Sequence, residues 1–177
     1  MCVFPHEHIE GLTSRRRTAE DGADSGASGI FGALCDSFAP ALSDLRAAPG
    51  NADPQRDGLR QLAGIFRGHP AIEVLAECRR HRAASAGTLQ VIMAALRAHA
   101  ASFDVQAAGV SAIGKLCLGD GASAGPRVQR GSDEGASDTV LAAMHDHPQG
   151  EKVLLHGCGA LPNLCHGYDR ASESRRE

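Results

Sequence analysis

The sequence has no tryptophan, only one tyrosine and five phenylalanines among its 177 residues. β-Branched residues are also scarce, with 8 Val, 6 Ile and 4 Thr. Strands favour aromatic and β-branched side chains, so this composition disfavours a sheet. The most frequent residue is instead alanine, with 30 copies, and chains rich in alanine, leucine, arginine and glutamate favour helix. The composition therefore predicts an all-α protein.

Long apolar segments are absent as well. No stretch approaches the roughly 18 apolar residues that cross a bilayer, and the amino-terminal segment MCVFPHEHIEGLTSRRR lacks the apolar run of a signal peptide. The formal net charge of −3 is too small to favour nucleic acids or membrane surfaces as partners. We therefore expect other proteins as partners, no nucleic acid, no membrane, and a cytoplasmic location. The basic residues 15–17 leave a nuclear location open.

Two polar segments divide the chain. Residues 11–29 are rich in glycine and contain almost nothing to bury, so we expect a disordered leader over 1–29. Residues 119–137 have a similar composition and predict an inserted loop, and residues 168–177 predict a charged, frayed tail. The chain from 30 to 167 is the predicted folded domain.

An internal repeat is the strongest pattern in the sequence. Residues 89–117 align with 138–165 at an offset of 48, and residues 38–66 align with 89–117 at an offset of 51. Each copy predicts a helix of about ten residues and then a longer helix with apolar or small residues at i, i+3, i+4 and i+7. A glycine lies in each apolar stripe, which predicts a close approach of a neighbouring helix. The aligned positions include Gly58, Gly109 and Gly157; Leu45, Leu96 and Met144; and His99 and His147.

The motif VxxxGxxALxxLC, preceded by a helix that ends near histidine, resembles the armadillo repeat. Here it reads VIMAALRAHAASFDVQAAGVSAIGKLC over 91–117 and VLAAMHDHPQGEKVLLHGCGALPNLC over 140–165. The resemblance implies a right-handed α-solenoid of about three armadillo-like repeats, with three helices in each. HEAT repeats, which share this architecture, stay open as an alternative.

The resemblance assigns a place to each helix. Second helices are expected at 89–98 and 139–147, and third helices at 53–66, 104–118 and 152–165. A first helix is expected at 71–82, and the next should fall around 127–136, where there is almost no apolar stripe. Pro162 predicts a kink or a late break in the last third helix, because proline lacks a backbone donor and clashes with the preceding turn.

The resemblance also implies a binding surface. Third helices line the concave face of armadillo proteins, and importin-type members place Trp and Asn there to grip a basic peptide. The Trp positions correspond here to Arg60, Ser111 and Gly159, and the Asn positions to Gly64, Lys115 and Asn163. This chain cannot form the Trp–Asn ladder, so a nuclear-import receptor is not expected. We expect a non-catalytic interaction module, a scaffold or adaptor, whose concave face includes Arg60, Ser111, Lys115 and Asn163.

A different class of function stays open. The apolar stripes extend to both ends of the repeats, with no clearly polar capping helix, and short arrays are marginal in stability. The chain could therefore be a partial regulatory array of a larger protein such as an enzyme. Self-association through uncapped ends is expected in that case.

Candidate chemical sites are few. Four of the six cysteines fall in helical patterns, and without a secretion signal we expect buried, reduced thiols; these are Cys35, Cys78, Cys117 and Cys165. Cys158 and Cys165 would lie about 10.5 Å apart along a helix, too far to share one zinc ion. The sequence His6-Glu7-His8 could bind a metal, but an exposed polar tail is favoured. We expect no catalytic residues, no metal and no cofactor.

Three further patterns are weak. The glycines at 119–125 and 157–159 contain GxG, but they follow no strand and lack the Lys-Ser/Thr of a phosphate-binding loop. Cys78 and His81 have no special spacing for a cysteine hydrolase. The basic cluster at 79–82 could meet an acidic partner, although cations in a last helical turn also favour the helix dipole.

Overall fold

The computed structural model of the chain describes residues 24–68, 73–119 and 121–165. These ranges contain no strand, so the all-α prediction is confirmed. Their nine helices are α1 (Asp24–Cys35), α2 (Ala39–Ala47), α3 (Ala52–Phe66), α4 (Glu73–Ser85), α5 (Thr88–Ala98), α6 (Phe103–Leu116), α7 (Gly121–Asp133), α8 (Ala136–Asp146) and α9 (Glu151–Cys165). Most of the predicted leader and the predicted tail lie outside the described residues, but residues 24–29 belong to α1.

The described helices form three consecutive triplets. In each triplet the second helix packs against the third, as α2 does on α3, α5 on α6 and α8 on α9. Corresponding helices of successive triplets also pack together: α1 with α4, α2 with α5 and α3 with α6, and then α4 with α7, α5 with α8 and α6 with α9. The third helices α3, α6 and α9 therefore lie side by side, with α6 in the middle.

In each third helix, the glycine of the apolar stripe lies beneath a side chain of the second helix. A Cβ on Gly109 would lie 2.5 Å from Leu96 Cδ2, and a Cβ on Gly58 would lie 3.0 Å from Leu45 Cδ2. A Cβ on Gly157 would overlap Met144 Sδ. The prediction that these glycines permit a close helix approach is confirmed in all three copies.

The predicted inserted loop at 119–137 is wrong, because α7 occupies Gly121–Asp133. The buried face of α7 includes Ala124 and Val128, and the Arg127 side chain is buried beside them. Two small apolar residues and an arginine give almost no hydrophobic periodicity, which is the signal that sequence reasoning uses. The first helix of this triplet also begins six residues before the position around 127 expected from the resemblance.

The late break that was one of the two outcomes predicted at Pro162 is wrong, because α9 continues to Cys165. The hydrogen bond that Pro162 cannot donate would go to the carbonyl of Cys158, four residues earlier. Cys158 is exposed, so water can reach this part of the helix. Since Pro162 lies in the last turn of α9, few further helical bonds depend on it.

The cysteines differ from expectation at two places. Cys35 on α1 and Cys78 on α4 form a disulfide, with their Cα atoms 5.8 Å apart, so the prediction of reduced thiols is wrong for this pair. Cys117 is a buried free thiol as predicted, but Cys165 is exposed and free. No described helix follows α9 to cover Cys165, whereas α9 and α7 cover the end of α6. Cys2 lies outside the described residues.

Candidate functional site

The surface of α3, α6 and α9 contains two adjoining hollows, which we call the third-helix groove. The larger, of about 380 Å³, is lined by Arg60, Ala63, Gly64, Arg67, Asp104, Ala107, Ala108, Ser111, Lys152 and His156. The smaller, of about 190 Å³, is lined by Ser111, Gly114, Lys115, Leu118, Leu155, His156, Gly159, Ala160 and Asn163. Ser111 and His156 belong to both hollows, so the groove runs from α3 across α6 to α9.

The structure brings the four predicted surface residues to this groove. Arg60 lines the larger hollow, Lys115 and Asn163 line the smaller one, and Ser111 lines both. Ser111 is only 9% exposed, so its side chain contributes to the floor. The pattern of aligned third helices was therefore sufficient to place these residues on one face.

Two of the four residues already have partners within the fold. Arg60 Nη2 lies 3.0 Å from Asp104 Oδ1, an ion pair that joins α3 to α6. Asn163 Nδ2 donates a 2.9 Å hydrogen bond to the carbonyl of Gly114, in the last turn of α6. A carbonyl near a helix end has no partner in the helix itself. Asn163 therefore links α9 to α6 with one amide hydrogen, while its side-chain oxygen forms no hydrogen bond within the described ranges.

Lys115 keeps its charge available for a ligand. Its side chain is partly buried in the last turn of α6, and it forms no salt bridge within the described ranges. Burial lowers the pKa of Lys115, and the positive charge of Arg67 lowers it further. Both causes disfavour the charged form, and an anion placed beside Lys115 would offset the repulsion from Arg67.

Among the groove residues that sequence reasoning missed are three basic ones: Arg67, Lys152 and His156. Arg67 is the exposed C-terminal cap residue of α3, Lys152 is exposed in the first turn of α9, and His156 lies one turn later. Burial lowers the pKa of His156, and the charges of Lys115, Lys152 and Arg67 lower it further. The sequence contained one indication of this basic group, since Lys115 and Lys152 are its two lysines. The repeat alignment does not group these lysines, because Lys152 aligns with Asp104.

The groove has an excess of positive charge. The ion pair with Asp104 neutralises Arg60, and Asp104 is the sole carboxylate among the lining residues. Arg67, Lys115 and Lys152 form no salt bridge in the part of the chain that the structure describes. This local excess contrasts with the formal net charge of −3 for the whole sequence.

Apolar side chains lie at the same end of the groove as Lys115. Leu155 is 67% exposed and Leu118 is 37% exposed, and both line the smaller hollow. Large apolar side chains with this exposure gain free energy when a ligand covers them. The groove therefore places two exposed leucines in the same hollow as the unpaired Lys115.

The basic cluster at 79–82 is largely used inside the fold. Arg80 is 1% exposed, pairs with Glu73 and Glu77, and donates to the Phe66 carbonyl at 2.9 Å. Arg82 pairs with Asp36 at 2.6 Å. Arg79 Nε donates to the Leu34 carbonyl at 3.0 Å. These arginines join α4 to neighbouring helices, so the cluster is not a free basic surface.

The other candidate chemistries have little support in the described ranges. No three His, Cys, Asp or Glu side chains lie together there as a metal site. Gly157 and Gly159 are inside α9, so their GxG pattern is helical. Cys78 is in the disulfide and is not a free nucleophile. Residues 6–8 lie outside the described residues.

None of the described helices combines the length and the hydrophobicity needed to span a membrane.

Comparisons with known proteins found no matching family model, no matching curated protein and no matching solved structure.

Proposed function

We propose that the chain is a non-catalytic protein–protein interaction module, built as a short right-handed solenoid of armadillo-like repeats. Its binding face is the third-helix groove. The observation that carries this proposal is the side-by-side packing of α3, α6 and α9, which sets residues from three repeats along one groove. Stacked repeats form extended concave surfaces of this kind, and such surfaces bind other proteins.

Polar groups along the groove suit an extended peptide. Lys115 offers an unpaired ammonium, and the Asn163 side-chain oxygen can accept a hydrogen bond from a backbone N–H. The exposed leucines beside them supply apolar contact area. Backbone hydrogen bonds together with side-chain contacts are a recurring means of peptide recognition.

An affinity pull-down with the native chain tests this proposal. We expect a Lys115→Ala/Asn163→Ala double variant to lose specific partners that the native chain retains. Arg97→Ala is the control, because Arg97 is exposed on α5, outside the groove. Circular dichroism should show that both variants keep the native helix content. Equal recovery of every partner by the double variant would remove the assignment of these residues.

A second candidate function is a regulatory repeat array within a larger protein. The observation in its favour is an apolar patch on the first triplet, where Ile30 is 66%, Phe31 48% and Leu34 45% exposed on α1. Val74 on α4 is 77% exposed. Under this alternative the isolated chain should self-associate or melt at a temperature that rises with concentration. A sharp melt that is independent of concentration would contradict it.

A further inference from the structure

We propose that the third-helix groove binds an acidic peptide segment, with its carboxylates beside Arg67, Lys115 and Lys152 and an apolar side chain on Leu118 and Leu155. This inference rests on the proposed interaction function and adds the chemical class of the partner. It is carried by the convergence of unpaired cations and exposed leucines in one groove.

The cations come from three different helices. Arg67 caps α3, Lys115 is in the last turn of α6, and Lys152 is in the first turn of α9. Packing of the third helices brings these positions together, so the positive charge is a product of the fold and not of a local basic run. Opposite charges on two partners favour association and speed their encounter.

Arg67 and Lys152 line the larger hollow, Lys115 lines the smaller one, and His156 lines both. Arg67 lowers the pKa of Lys115, and His156 is affected by Lys115, Lys152 and Arg67. Asp104, the carboxylate of the lining, is engaged by Arg60. A ligand carboxylate would supply the negative charge that the groove lacks, and the binding free energy would include relief of this repulsion.

The leucines distinguish a peptide from a nucleic acid. Single-stranded nucleic acids are held by aromatic stacking and by a basic track along the phosphates. Apart from the His156 imidazole, the lining contains no aromatic ring, and the cations form a small cluster. The exposed Leu118 and Leu155 favour a bulky aliphatic or aromatic side chain next to the acidic residue of a peptide.

The presence of two lysines permits a direct test. Reductive ¹³C-methylation of the native chain keeps both lysine charges and labels Lys115 and Lys152, together with the terminal amine. Lys115→Arg and Lys152→Arg variants assign the two signals in NMR spectra. The probe is a short synthetic peptide of glutamates around a central leucine, and its control has glutamine in place of each glutamate.

We expect saturable shifts of both lysine signals with the glutamate peptide and much weaker shifts with the glutamine peptide. Added salt should weaken binding, because it screens exposed charges. Lys152→Glu replaces an attraction with a repulsion and should weaken binding about tenfold. Arg97→Glu, an equal charge change on exposed α5, should weaken it less than about twofold.

Three results would overturn the inference: no shift with the glutamate peptide at low salt, equal shifts with the glutamine peptide, or tighter binding of oligothymidylate at the same lysines. The proposed function has a separate readout. If a partner recovered by pull-down shifts the lysine signals while the glutamate peptide does not, the interaction module stands and the acidic ligand is wrong. If neither shifts them, both proposals fail.

Discussion

The Gln106 side chain on α6 donates a 2.7 Å hydrogen bond to the carbonyl of Leu96 on α5, and a second of 3.0 Å to His99. Gln55 makes the same pair of contacts one triplet earlier, to Leu45 at 2.7 Å and Ala48 at 2.9 Å. Each glutamine thus satisfies carbonyls at the end of a second helix. The corresponding position in the last triplet is Leu154.

We predict that Gln106→Ala lowers the free energy of unfolding by about 1–3 kcal/mol, because it removes the side-chain donor from the buried Leu96 carbonyl. Urea denaturation followed by circular dichroism measures this change. Gln61→Ala is the control, since Gln61 is exposed on the neighbouring third helix α3. A loss in Gln106→Ala no greater than in the control would show that the contact is energetically unimportant.

The glycine register gives a second prediction. Gly109→Ala places a methyl group 2.5 Å from Leu96 Cδ2, and overpacking a core costs about 1–3 kcal/mol, which exceeds the gain of up to about 1 kcal/mol in helix propensity. A lower melting temperature is expected. Gly64→Ala is the matched variant on α3, because nothing lies within 4 Å of its added Cβ, and it should be neutral or stabilising. Equal effects of the two changes would contradict the close packing.

The ion pairs of Glu77 predict how the stability of the protein depends on pH. Burial raises the pKa of Glu77, but hydrogen bonds and charges from Arg127 and Arg80 outweigh it, so the pKa is lowered. A carboxyl whose pKa falls on folding stabilises the protein above its unfolded value of about 4.3, and this contribution disappears as pH falls through the folded value. Glu77→Gln should therefore cost about 2 kcal/mol at neutral pH and less in acid.

Chemical denaturation at several pH values measures this difference. Glu151→Gln, an exposed change in the first turn of α9, serves as control. A loss of stability in Glu77→Gln that stays constant from neutral pH to strong acid would rule out the ion pairs with Arg80 and Arg127 as its source.

The cysteines give a prediction that peptide mapping can check. In the native protein, iodoacetamide should modify exposed Cys158 and Cys165, while burial raises the pKa of Cys117 to about 11 and protects it. Cys35 and Cys78 should be recovered as one disulfide-linked pair. Because the bond closes a loop with a sequence separation of 43, its reduction should lower stability by about 4 kcal/mol in the chain-entropy estimate.

Recovery of alkylated Cys35 and Cys78 from the native protein would contradict the disulfide. The same mapping on protein taken directly from cells bears on the expected cytoplasmic location, because disulfides persist mainly in oxidising compartments.

The third helices were predictable from the sequence because their apolar stripes are regular. Their predicted starts at 53, 104 and 152 each differ by one residue from the observed helices. The same regularity placed Arg60, Ser111, Lys115 and Asn163 on one face. The register of Gly109 against Leu96 was also visible, since both positions recur at the repeat offset.

Helix α7, the group of cations in the groove and the disulfide could not be predicted, because they depend on contacts between residues far apart in the sequence. Helix α7 is stabilised by buried Arg127, whose guanidinium lies 2.5 Å from Glu77 on α4, and hydrophobic periodicity cannot show such a pair. Arg67, Lys115 and Lys152 share one groove only when α3 and α9 pack on either side of α6. A disulfide between α1 and α4 likewise follows from how the triplets stack, not from cysteine spacing.

Hydrogen–deuterium exchange of the native chain, measured with and without a partner recovered by pull-down, shows whether the third-helix groove is the binding face. We predict slower exchange on binding in the C-terminal half of α3, in α6 and in α9, with no change in α2, α5 and α8. Protection confined to the second helices, or to the exposed apolar patch of α1, would contradict the account.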